Sequence, residues 1–277
     1  MMTIGAVTDH RSREGGSIIY PVYSRRSRGL SIGINLFPGH KECSFDCPYC
    51  EVFPFETDIV FNIEIMKTAL CSAIREAIKN AIPIMDICFS GNGEPTMSPY
   101  FIEAVKAASS IRSMLAGDAK LVVITNGTGL FNKEMFDFLK NASIDSTDLN
   151  IWLKLDAATE AWYRLLNRSS IPHDELVDSI KKFSASNAPF TIQTMLCKIK
   201  GVLPPEEESA AWIQLVTELS TLSGRCGLRE VQIYGKARPA AEDPLAEAVP
   251  LTILEERAAL LRVSLEKAGI TVPAAVY

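Results

Sequence analysis

Cys43-Ser44-Phe45-Asp46-Cys47-Pro48-Tyr49-Cys50 places three cysteines within eight residues, spaced C-x3-C-x2-C. Thiolates are soft metal ligands, and a closed iron–sulfur cluster or structural zinc site usually takes four. Three is one short. A cubane iron–sulfur cluster held by three cysteines keeps one iron open, and an open iron can bind a small molecule. The same triplet also suits a zinc knuckle that borrows a fourth ligand from elsewhere, with His40 as a candidate. On this stretch alone both readings stand.

The composition narrows the setting. Of 277 residues, 47% are hydrophobic and 22% charged, ordinary values for a soluble globular protein. No apolar run approaches the ~20 residues needed to span a bilayer. Met1 to Gly16 is polar, with Asp9, His10, Arg11, Arg13 and Glu14, and lacks the apolar core of a signal peptide. The expectation is a cytoplasmic protein with no membrane partner. Thiols stay reduced there, so the seven cysteines read as metal ligands and core residues, not as disulfides. A net charge of −5 gives no sign of a broad nucleic-acid surface. A local patch such as Arg25-Arg26-Ser27-Arg28 leaves an RNA substrate open, although its plainer reading is a solvated turn.

The elements that must position the cysteines alternate strand and helix. Ile32, Ile34 and Leu36 alternate within residues 31–37, which predicts a strand running into the cysteine loop. A helix follows over about 62–79, with Met66, Leu70, Ala73, Ile74, Ala77 and Ile78 in helical step. Further strands are expected over 84–89, 121–125, 149–155, 190–199 and 230–234. Ser98-Pro99 reads as an N-cap with proline at the first helical position, opening a helix to about Leu115. Shorter helices are expected near 132–140, 159–166 and 173–186, and Pro204-Pro205 opens a longer one. Thr252 with Glu255 has the pattern of a capping box, and that helix should end at Gly269. Residues 237–250, with three prolines, read as a surface loop. The domain reading is a flexible segment over 1–20 and one domain over 21–277.

Six strands alternating with helices imply an α/β fold with parallel strands. Such sheets carry function at the C-terminal strand ends. Here those ends are polar: the three cysteines, then Gly91-Asn92-Gly93-Glu94-Pro95, Thr125-Asn126-Gly127, Lys154 with Asp156, Gln193, and Gln232 with Tyr234. Each has a plain reading as well: a glycine turn, a turn cap at Asn126, a rim salt bridge between Lys154 and Asp156, rim packing at Tyr234. Cys71, Cys88 and Cys197 read as core, Cys226 as an exposed turn residue, and His10 and His173 as surface residues.

The cysteine spacing, with Tyr49 just before the last cysteine, resembles the signature of the radical S-adenosylmethionine (SAM) enzymes. Gly93-Glu94-Pro95, about 40 residues on, is similar to that superfamily's Gly-Gly-Glu-Pro motif and departs from it at Asn92. Over roughly residues 20–270 the chain resembles the wyosine-base-biosynthesis-like group, through Ser31 to Gly39, Cys43 to Glu51, Phe89 to Thr96, Lys154-Leu155-Asp156-Ala157 and the Arg238-Pro239 segment. It has neither the extra cysteines nor the flavodoxin-like domain of the true tRNA enzymes of that kind.

The resemblance implies an open, partial (βα)6 barrel; a flat doubly wound sheet is the alternative from strand count alone. It implies a [4Fe-4S] cluster on Cys43, Cys47 and Cys50, and SAM held by Tyr49, Gly91, Asn92, Gly93, Glu94, Asn126, Lys154, Asp156, Gln193 and Tyr234. Lys154 would hold the SAM carboxylate and Asp156 the ribose or substrate. It further implies reductive cleavage of SAM to a 5′-deoxyadenosyl radical that takes hydrogen from a substrate, with electrons from a flavodoxin- or ferredoxin-type donor. A tRNA or nucleoside is one substrate class; a peptide or small metabolite is the alternative. A non-catalytic zinc module is the reading from a different class. No acid, base or radical-relay residue is assigned.

Overall fold

The computed structural model describes residues 16–224 and 227–277. His10, Cys226 and most of the 1–20 segment lie outside them. By internal contacts the chain forms two compact units. The first comprises the residues up to Cys43, Val52–Thr125 and Ala142–Asn150; the second comprises Ser44–Glu51, Asn126–Asn141 and Ile151–Tyr277.

The first unit opens with a hairpin that periodicity did not announce. β1 (Ile19–Ser24) runs antiparallel to β2 (Gly29–Ile34), with Ile19 opposite Ile34 and Ser24 opposite Gly29. The turn places Arg28 at φ +57°. Tyr20 lays its ring over Gly33, where a Cβ would stand 2.2 Å from the ring. β2 then pairs in parallel with β3 (Ile84–Phe89), and β3 with β4 (Lys120–Thr125). Ile32, Ile34, Ile87, Phe89, Leu121 and Val123 are completely buried, as strands covered on both faces require. β2 is shorter than the alternation to residue 37 suggested. Asn35 turns its side chain onto the backbone N–H groups of Phe37 and Asn92, which ends the strand and opens the cysteine loop.

α1 (Ile63–Lys79) follows the expected helix closely. Asn62 caps it by accepting from the N–H groups of Glu64 and Ile65, and Met66, Leu70, Ala73, Ile74 and Ala77 form its buried face. α2 (Phe101–Leu115) begins later than Ser98-Pro99 implied. Residues Pro95–Met97 form a 3-10 turn capped by the Glu94 side chain, and Ser98 closes that turn. The capping is therefore done by Glu94, and α2 has no side-chain cap of its own.

α3 (Lys133–Ala142) and β5 (Leu149–Lys154) lead into the second unit. There α4 (Glu160–Leu166), capped by Thr159, and α5 (His173–Ala185) precede β6 (Phe190–Leu196), every residue of which is buried. The expected strand over 190–199 breaks after Leu196: β7 (Lys198–Ile199) pairs antiparallel with β9 (Ala246–Glu247), inside the stretch read as loop. α6 (Glu206–Leu222) starts after Pro205. β8 (Leu228–Gly235) pairs in parallel with β6, and β6 with β5. α7 (Leu251–Lys267) starts one residue after Pro250 with no side-chain cap, so the Thr252–Glu255 capping box is not formed; proline already sets the entry. The helix ends as expected at Gly269, φ +69°. β10 (Ala274–Val276) adds a further parallel strand to β8.

The α/β class and parallel strand pairing are borne out. β2, β3, β4, β5, β6 and β8 are the six expected strands; β1, β7, β9 and β10 are additions.

Candidate functional site

In the first unit the segment leading into Cys43 is docked onto the glycine segment by backbone. Glu42 N–H donates to the Asn92 carbonyl at 3.0 Å, and Glu94 N–H donates to the Glu42 carbonyl at 2.8 Å. A Cβ on Gly93 would stand 1.7 Å from the Glu42 carbonyl oxygen, and Gly93 has φ +152°. Only glycine permits that approach. Asn92 fixes the other side: its Nδ2 donates to the Phe37 carbonyl at 3.1 Å. The Asn35 side chain lies against Gly91, within 3.0 Å of where a Cβ would be. The carboxylate of Glu94 is buried, and its Oε1 accepts from Thr96 N–H, Thr96 Oγ1 and, at 2.7 Å, Thr125 Oγ1. Asn92 thus takes the place of a motif glycine while its side chain braces the loop.

In the second unit the strand-end residues form one buried polar cluster. Lys154 donates to the Tyr234 hydroxyl at 2.6 Å and pairs with Asp156 Oδ1 at 3.2 Å. Its ammonium lies 5.2 Å from the ring centre of Tyr49 and 5.1 Å from that of Tyr234. Tyr49 donates its hydroxyl to Asp156 Oδ2, and Met195 N–H donates to Asp156 Oδ1 at 2.8 Å. The rim salt bridge is therefore present, and it is embedded between two aromatic faces, where an ammonium gains cation–π attraction. Gln193 is wholly buried and donates to Gln232 Oε1 on β8 at 2.6 Å. Asn126 caps the next turn, its Oδ1 accepting from Thr128, while its Nδ2 donates to Ser44 Oγ at 2.9 Å.

These contacts set the electrostatics. Burial works against charge on Lys154, but Asp156, Tyr234 and Cys47 outweigh it and hold the ammonium above the ordinary lysine range. Burial and then Asp156 push the Tyr49 phenol well above its usual value. Burial, followed by Asp156, pushes the Cys47 thiol up to about 12. A bound metal inverts that balance, because a coordinating thiol is deprotonated outright.

Six contacts around the loop escaped the sequence reading. Asn167, just past α4, donates from Nδ2 to Cys47 Sγ at 3.5 Å and to Asp156 Oδ2 at 3.3 Å, while its carbonyl accepts from Asp46 N–H at 2.9 Å. Ser169 Oγ donates to the Ser44 carbonyl at 3.0 Å. On the far side of the loop, Ala241 N–H donates to the Cys50 carbonyl at 3.3 Å, and Arg238 pairs with Glu51 at 2.8 Å. Asn167 carries no signal beyond the end of an expected helix. His173, read as a surface residue, is buried: its ring packs 5.1 Å from that of Tyr163 and Nε2 lies 3.4 Å from the Ala157 carbonyl. Cys88 and Cys197 are buried as expected, and Cys71 is half-buried.

Cys43, Cys47 and Cys50 form no disulfide, and each is partly accessible. Among the described residues no set of three or more His, Cys, Asp or Glu side chains is gathered as a metal centre. The fit to an iron–sulfur cluster thus rests on donor chemistry: three cysteine thiols on one short loop, with an N–H donor already aimed at one sulfur. No helix among the described residues is long and apolar enough to cross a membrane.

A family profile for the radical SAM superfamily matches residues 38–209, which contain all three loop cysteines and the glycine segment. The chain belongs to the radical SAM superfamily, a superfamily of SAM-using enzymes. A Helicobacter pylori protein described as "UPF0026 protein" is 31% identical over 153 residues, 52% of this chain and 48% of the relative. Streptococcus suis SuiB bound to its precursor peptide SuiA superposes with a TM-score of 0.65 at 14% identity, over 91% of this chain and 51% of SuiB. SuiB bound to SAM gives 0.61 at 14% identity over 91% and 49%. TYW1 with a lysine–pyruvate adduct gives 0.54 at 16% identity, over 84% of this chain and 73% of TYW1. These likenesses carry the partial-barrel α/β fold. The chain spans about half the length of the curated relative it matches.

Proposed function

We propose that this chain is a radical SAM enzyme whose Cys43, Cys47 and Cys50 hold a [4Fe-4S] cluster. The observation that carries the reading is the bridge between Glu42 and Gly93, which seats the residues leading into Cys43 on the glycine segment and tolerates no side chain at Gly93. When bound, the cluster and SAM supply reductive cleavage to a 5′-deoxyadenosyl radical that takes hydrogen from the substrate.

The protein's own residues position and exclude. With its Asn92 and Glu94 backbone groups bonded to Asn35 and Glu42, the Gly91–Glu94 segment would turn its remaining backbone groups to the SAM amino end. Lys154 presents a firmly protonated ammonium for a carboxylate, and Asp156 and Tyr234 fix its position. Tyr49, buried beside Cys50, keeps water from the loop. An external flavodoxin- or ferredoxin-type donor delivers the electron.

For the substrate, the wyosine-type sequence pattern makes a nucleoside in tRNA one class, with a peptide or small metabolite as the other. The likeness to peptide-bound SuiB, at 14% identity, speaks to fold alone.

The test is anaerobic reconstitution, then dithionite and SAM, with chromatography for 5′-deoxyadenosine and Cys47→Ala as the control. Product from the wild type and none from the variant supports the reading. Stoichiometric zinc, with no iron uptake and no product, overturns it in favour of a zinc module.

A further inference from the structure

We infer that Asn167 is a positioning residue that raises the reduction potential of the cluster through an N–H···S hydrogen bond to Cys47. The inference rests on the proposed cluster and extends it to a residue outside the cysteine and glycine motifs.

Asn167 is 2% exposed, so its amide has no water to turn to. Two side-chain contacts and one backbone contact hold it in place. The backbone carbonyl holds Asp46 N–H at 2.9 Å. The Nδ2 group donates to Asp156 Oδ2 at 3.3 Å and to Cys47 Sγ at 3.5 Å. An amide nitrogen has two hydrogens, one for each acceptor. Asp156 is itself held by Lys154 and Met195 N–H, so the donor cannot swing away from the sulfur without abandoning a buried carboxylate.

The effect on a cluster follows from charge. Reduction adds negative charge that spreads onto the cysteine sulfurs. A hydrogen-bond donor at one sulfur stabilises the reduced form more than the oxidised form and moves the potential upward. The donor is buried, so the interaction is screened less than one at the surface.

The experiment is a redox titration of the reconstituted cluster, followed by EPR. Asn167→Leu keeps the branched shape, at a larger volume, and removes the donor; its cluster is expected to titrate at a more negative potential than wild type. Asn167→Gln, which keeps an amide, is expected to recover part of the shift. An unshifted potential in an Asn167→Leu protein with full iron and sulfide overturns the inference. If that variant fails to load, pulsed EPR on the reduced wild-type cluster, labelled with 15N-asparagine, replaces it. A 15N coupling that is lost in Asn167→Gln or weakened there supports the contact, and no coupling in the wild type overturns it. A wild-type protein that takes up no iron defeats the proposed function instead, and is read from metal content before any titration.

Discussion

The Lys154 ammonium and the Asp156 carboxylate, 3.2 Å apart, form an ion pair whose acidic member has a side chain with no solvent exposure. Such a pair is costly to break from one side, because the survivor is left charged and buried.

Lys154→Met is therefore expected to destabilise the cofactor-free protein by about 3–5 kcal/mol. Combining it with Asp156→Asn should recover much of that loss, since no buried charge then remains unpaired. Urea unfolding of the two single variants and the double variant checks this; equal losses that simply add would count against coupling.

Gly93→Ala and Gly269→Ala both place a Cβ on a positive-φ residue, yet they should differ widely. At Gly93 the new atom meets the Glu42 backbone at 1.7 Å, whereas at Gly269 nothing lies within 4 Å. The expected cost is about 3 kcal/mol or more at Gly93, and about 1 kcal/mol at Gly269 from the left-handed backbone alone. Thermal melting of both variants decides it. Gly93→Ala should also lose iron on reconstitution, and Gly269→Ala should not.

Glu208 on α6 accepts from Ala158 N–H at 2.7 Å, Thr159 N–H at 2.8 Å and Thr159 Oγ1 at 2.5 Å. It anchors the segment that carries Asp156 into α4. Glu208→Ala leaves two backbone donors unmet and should cost about 2–4 kcal/mol. Hydrogen exchange should show faster opening of the first turn of α4, with β6 unaffected.

Asp86 supplies a pH dependence. Burial raises its pKa, against the Ser31 hydroxyl that donates to it. A carboxyl whose folded pKa lies above its unfolded value stabilises the protein fully below the ordinary aspartate range, and that contribution is lost as pH rises through the raised value. Asp86→Asn keeps an acceptor for Ser31 and cannot titrate. Relative to wild type, it should gain stability as pH increases across the weakly acidic range. Denaturation at several pH values measures this; parallel curves would remove Asp86 as the cause.

Much of this was legible because strand ends in α/β folds must be polar where they do chemistry. Lys154 and Asp156 stood out as charges closing an apolar strand, and Gly93 through its distance from the cysteines. The missed residues act through contacts that only three dimensions supply. Asn167 looks like any helix terminus until it meets a sulfur 120 residues earlier. His173 opens a helix in sequence, which ordinarily means solvent, but Tyr163 covers it. β1 was hidden because Tyr20 and Pro21 interrupt alternation; cross-strand packing of Tyr20 on Gly33 makes the hairpin.

The clasp on the cysteine loop has a consequence for biosynthesis. Its partners come from Asn167 and Ser169 and, much later, from Arg238 and Ala241. On the ribosome the three thiols emerge first and wait through most of translation before the residues that fence them exist. Iron delivery has an open window during synthesis, and oxidants have the same window.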